Sequence, residues 1–131
     1  MNADSRDVSL AVPAKPGYLV LARLALTAVC RLTPLQPAEV ADLKLAMTEA
    51  AGEFVTEGDG IGPGDSTDAV PGEGDRIDFA FRLEDDRLVC ELSGPAPPVP
   101  AVEQELSRAI IEATVDRADF ASGRTVLIKN L

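Results

Sequence analysis

Two carboxylates four residues apart, Glu49 and Glu53, stand where the surrounding pattern predicts one face of a helix. Such a pair suits general-base chemistry. The same spacing is equally met by two solvated side chains with no task, and the residues alone leave both readings open. A second candidate is GDGIGPG, Gly58–Gly64, which imitates a glycine loop that lets backbone amides approach phosphate. No strand leads into it, no helix follows it, and no Gly-Lys-Ser/Thr ending closes it, so it reads as loop. The acids around it, Asp59, Asp65, Asp68, Glu73 and Asp75, lack EF-hand spacing and suit at most weak cation condensation. The chain has no histidine, which removes imidazole triads, relays and metal ligands from consideration. Cys30 and Cys90 lie singly in apolar segments and read as core thiols of a protein held in a reducing, cytoplasmic compartment. Arg23 is the basic residue most out of place, an isolated charge in the most apolar segment. It suits either a solvent edge or a partner contact.

The elements that must position these residues follow from periodicity. Val8, Leu10 and Val12 alternate with polar or small residues and predict a short strand ended by Pro13. Pro16 suits the first turn of a helix, and Tyr18–Leu32 is apolar on nearly all sides. Its polar stripe is only Arg23, Thr27 and Arg31, so the helix is expected to be covered on more than one flank. A second helix carries Val40, Leu43, Met47, Ala50, Ala51, Phe54 and Val55 on its apolar side, with Asp42, Glu49 and Glu53 on another. Glu57–Asp75 is rich in Gly, Pro and acid and predicts a mobile loop. Two strands follow, Ile77–Leu83 and Leu88–Leu92, joined by a polar turn at Glu84–Arg87. Gly94–Pro100 is Pro-rich and irregular. Ala101–Val115 predicts a third helix with Val102, Leu106, Ala109, Ile110 and Ala113 on one face. Arg117–Ala121 and Thr125–Leu131 predict a closing hairpin around Ser122-Gly123. The order β-α-α-β-β-α-β-β implies an α+β fold of two layers, a mixed and mainly antiparallel sheet with helices on one face, in one domain spanning residues 1–131.

Composition narrows the partners. Acids outnumber bases 22 to 12, for a net charge of −10, which argues against nucleic acid or an anionic membrane as the partner. Met1–Asp7 is polar and acidic rather than basic then apolar, unlike a signal peptide. Tyr18–Leu32 is too short and too charged for a membrane span.

That element order, with ADLKLAMTEAAGEFV (Ala41–Val55), AIIEATVDRADFASGRTVLIKNL (Ala109–Leu131) and LARLAL (Leu21–Leu26), resembles the anti-sigma-factor serine kinases of the histidine-kinase-like ATPase (GHKL) superfamily. The resemblance covers nearly all the chain outside Glu57–Asp75. It implies an N-box, Glu-x-x-x-Asn, in the second helix; Glu49 matches its Glu, and Glu53 stands at the Asn that would carry magnesium. It implies an Asp-x-Gly-x-Gly box at Leu92-Ser93-Gly94-Pro95-Ala96, where Gly94 alone agrees and Leu92 replaces the adenine-binding Asp. It implies a Gly-x-Gly-Leu box at Glu105-Leu106-Ser107-Arg108, where both glycines are gone. Thr125 matches a threonine of the last strand. Glu49, Gly94 and Thr125 therefore agree with the family, while Glu53, Leu92, Ala96, Glu105 and Ser107 depart from it.

These departures strike base recognition, metal and phosphate cradle together, so no cofactor is expected. The resemblance then implies a regulatory module that holds a sigma factor or an antagonist (STAS-type) protein without phosphorylating it. A homodimer through the first helix and strand is expected, with Arg23 on the partner-facing surface. The alternative is a divergent serine/threonine kinase using ATP and Mg²⁺, with Glu49 as base and Glu53, Gly94 and Thr125 at the nucleotide.

Overall fold

A computed structural model describes residues 6–55, 75–95 and 99–131 of the 131-residue chain. The expected mobile loop, apart from its last residue Asp75, lies outside the described residues, as do the GDGIGPG run within it and Ala96.

The chain opens with β1, Arg6–Pro13, an edge strand whose terminal proline interrupts no central ladder. One 3₁₀ turn at Pro16–Tyr18 leads into α1, Leu19–Cys30. Helix α2, Pro37–Gly52, begins with Pro37 in its first turn, where no amide donor is needed. The Glu39 carboxylate accepts the backbone N–H of Gln36 at 2.9 Å, satisfying one donor at that helix start. Strands β2, Arg76–Leu83, and β3, Arg87–Ser93, form the expected hairpin, whose turn carries the ion pair of Arg87 with Glu84 at 2.7 Å. Helix α3, Ala101–Thr114, is followed by β4, Arg117–Ala121, and β5, Arg124–Asn130. The element order is the one expected from the sequence. The strands lie in the order β1-β2-β3-β5-β4, and every pairing among the described residues is antiparallel.

Strand alternation sends Ile77, Phe79 and Phe81 of β2 and Leu88, Cys90 and Leu92 of β3 into one core. There they meet Leu26 of α1, Leu43 and Met47 of α2, Ile111 of α3 and Leu127 of β5. Burial of Phe79 or Phe81 stabilises the fold by roughly 1.5–3 kcal/mol each. Cys30 and Cys90 are free thiols buried in that core, and burial pushes both thiols up. On the other face of the sheet Glu91 bridges Arg124, at 2.7 Å, and Arg82, at 3.0 Å. Hydrogen bonds from Arg124 first, then Arg82, hold its carboxyl below the usual range. No helix of the described residues is long and apolar enough to cross a membrane.

Helix α3 departs from the sequence reading in what it packs. Of its apolar side chains only Ile111 is fully buried. Val102 and Leu106 stand 77% and 63% exposed, and Ala109 and Ala113 are exposed beside them. The helix turns Ser107, Arg108 and Ile111 inward instead.

Candidate functional site

A cleft of about 400 Å³ opens where the C-terminal end of α2, the middle of α3 and the β4–β5 hairpin converge. Helix α2 ends at Gly52, so Glu53 is its C-cap and Phe54 drops into the core. That anchor fixes Glu53 at the cleft wall. Arg108 of α3 reaches across, its Nη2 3.4 Å from Glu53 Oε1. The guanidinium lies over the Phe120 ring of β4, with Cζ 4.5 Å from the ring centroid, a cation–π contact. Gln104, Ser122, Gly123 and Thr125 complete the polar lining, and Val99 adds an apolar side.

The ion pair is enclosed and incompletely satisfied. The Glu53 side chain is 12% exposed and that of Arg108 33%. Among the described residues neither Glu53 Oε2 nor Arg108 Nε has a hydrogen-bond partner, although both atoms are buried. A single 3.4 Å contact is longer than a charge-assisted fork, so the pair is held more by its walls than by its own geometry.

Of the positions singled out in the sequence, Glu53 and Thr125 meet in this cleft, and Thr125 is buried. Glu49, one turn earlier, is half-buried and does not line the cleft; its backbone carbonyl accepts the Ser107 hydroxyl at 3.4 Å. Glu53 is thus no unattended surface carboxylate, because its counter-charge is Arg108. Leu92 is fully buried among core side chains, opposite Thr125 in the ladder. Glu105 points to solvent. Gly94 is held by close packing: a Cβ there would lie 2.8 Å from the Arg76 carbonyl oxygen. Its amide donates to the carbonyl of Gly123 at 3.1 Å. Gly123, at φ +73°, makes the β4–β5 turn in the left-handed region that favours glycine. Arg23 is half-buried on α1, whose Val20, Leu21 and Leu24 are exposed, as is Leu32 just past its end.

The sequence reading missed Arg108 and Phe120. A signal was present. The two boxes depart in reciprocal charge, an acid at Glu53 and a base at Arg108, which suits a pair closing on itself.

The same arrangement of strands and helices occurs in the crystal structure of the RsbU and RsbW domains of Rv1364c from Mycobacterium tuberculosis, with a TM-score of 0.60 over 95% of this chain. The fold is RsbW-like. Sequence identity is 16%, so the fold is what the two share, and this chain spans 32% of the length of that one. No family model matches the sequence, and no curated protein matches it. Glu53 at the C-cap of α2 and Arg108 of α3 face one another across the cleft.

Proposed function

We propose that this chain is a regulatory protein-binding module of the anti-sigma type, a single cytoplasmic domain acting by contact with a sigma factor or a STAS-type antagonist and not by phosphorylation. The observation that carries this reading is the Arg108 guanidinium, seated on Phe120 and paired with Glu53 in the cleft. A magnesium–polyphosphate there would meet a carboxylate already engaged by a cation. Leu92, where the resemblance asks for an adenine acceptor, is apolar and fully buried in the core, and offers none. The residues present do not fit ATP and Mg²⁺. Titration calorimetry of the protein with ATP and Mg²⁺ is expected to give no measurable heat of binding. A dissociation constant in the low micromolar range would overturn this reading in favour of the kinase.

Contact with a partner, or with a second copy of this chain, is assigned to α1. Its outward face carries Val20, Leu21 and Leu24, with Leu32 exposed just past its end, more apolar surface than an isolated helix face leaves to water. Arg23, set among them and half-buried, suits a fork onto a partner carboxylate. Arg23→Glu is expected to weaken binding to a captured sigma factor or STAS protein by about 2 kcal/mol, roughly thirtyfold. Its melting temperature should stay unchanged. Binding at full strength, in a protein that sediments as a monomer, would remove α1 from the interface.

A further inference from the structure

Helix α3 keeps only Ile111 of its apolar side chains fully in the core and turns a second apolar stripe outward. Its inner side buries Ile111 in the core but otherwise carries polar contacts, with Ser107 donating to the Glu49 carbonyl and Arg108 paired to Glu53. Its outer side carries Val102 and Leu106, the two most exposed large apolar side chains among the described residues, with Ala109 and Ala113 also exposed. These four are spaced four, three and four, which is the a/d seam of a heptad repeat with d at Val102 and a at Leu106. In that register Glu103 takes an e position, and Glu105 and Glu112 take g positions. All three acids of the helix therefore flank the seam. Its one base, Arg108, is at c and committed to the cleft.

Flanking e and g charges decide which helix a seam accepts. In an antiparallel pair of α3 helices Glu105 and Glu112 would face one another along the g edge, so charge opposes that self-association. An acidic pattern at every charged flank selects basic flanks opposite. We infer that α3 is a preformed half of a two-helix contact whose other half is a basic amphipathic helix of another protein, with Lys or Arg flanking an apolar a/d stripe. The seam is separate from α1 and from the cleft, and it holds whether or not the protein has the regulatory role proposed above.

The test uses the full chain and two synthetic peptides of three heptads, Leu at a and d in both, with Lys at e and g in one and Glu in the other. Fluorescence anisotropy at about 0.15 M salt should show the Lys peptide binding at least roughly tenfold more tightly than the Glu peptide. Amide shifts in ¹⁵N-labelled protein should concentrate on Val102–Ala113. The double variant Val102→Ser, Leu106→Ser should lower affinity for the Lys peptide by roughly tenfold or more with an unchanged melting temperature. The variant carrying Glu103→Lys, Glu105→Lys and Glu112→Lys should reverse the peptide preference. Lys-peptide binding that survives the serine variant, or shifts spread over the whole acidic surface, would reduce the effect to diffuse attraction and overturn the seam. A dimer that dissociates on Leu106→Ser would name a second copy as the occupant and overturn it equally.

Discussion

Gly94→Ala is expected to lower the stability of the domain by about 3 kcal/mol, the upper end of what overpacking costs. The new Cβ would sit 2.8 Å from the Arg76 carbonyl oxygen and 3.4 Å from the Ile77 Cα. Both are backbone atoms of β2, so no side-chain rotation can relieve the contact. The Gly94 peptide is also fixed from the other side by its hydrogen bond to Gly123. Moving it away from β2 would press it on the β4–β5 turn, where Gly123 already holds a positive φ. In a chain of this size the loss should appear as a fall of about 12 °C in melting temperature. Gly52→Ala is the matched control. Gly52 closes α2 in open space, and alanine there should stabilise by about 0.5 kcal/mol. Equal effects at the two positions would mean that the packing around Gly94 is looser than described, and that its retention needs another explanation.

Gly94 also marks a limit of reading sequence. In the resemblance it is the survivor of a nucleotide box, yet its position here is explained by the approach of Arg76 and Gly123. Those neighbours come from 18 residues before and 29 after it, and no local pattern announces them. The strands were legible because alternation with period two reports the core face directly, as at Ile77, Phe79 and Phe81. The polar turn at Glu84–Arg87 was legible for the same local reason. Helix α3 was legible as a helix but not in its orientation. Periodicity states that Val102, Leu106, Ala109 and Ala113 share a face, and it cannot state whether the chain itself covers that face. The Glu53–Arg108 pair was illegible for a related reason. It joins residues 55 apart, and only the packing of α3 on α2 brings them together.

That pair carries the second large expectation. Arg108→Met should destabilise the protein by about 2 kcal/mol, with a fall of about 8 °C in melting temperature. Removing one partner of a fully buried pair costs about 3–5 kcal/mol, because the other charge is left without compensation. The value here is set lower because a third of the Arg108 side chain is exposed to water. Methionine keeps an unbranched apolar stem and a sulfur beside the Phe120 ring, so lost packing contributes little and the result reports mainly on Glu53. The carboxylate would then lie 12% exposed, with Oε2 already lacking a hydrogen-bond partner among the described residues. Removing the stranded charge as well should reverse the loss. Arg108→Met combined with Glu53→Leu should recover most of the 2 kcal/mol, since a well-packed apolar pair often equals a buried ion pair in stability. The coupling energy of this cycle is the deciding quantity. A double variant no more stable than Arg108→Met alone would show that Glu53 does not depend on Arg108. The cleft would then lose the self-closing contact on which the non-catalytic reading rests. A double variant restored to wild-type stability, and still silent toward ATP and Mg²⁺, would place the block to nucleotide in Leu92 and the lost glycines as much as in the guanidinium.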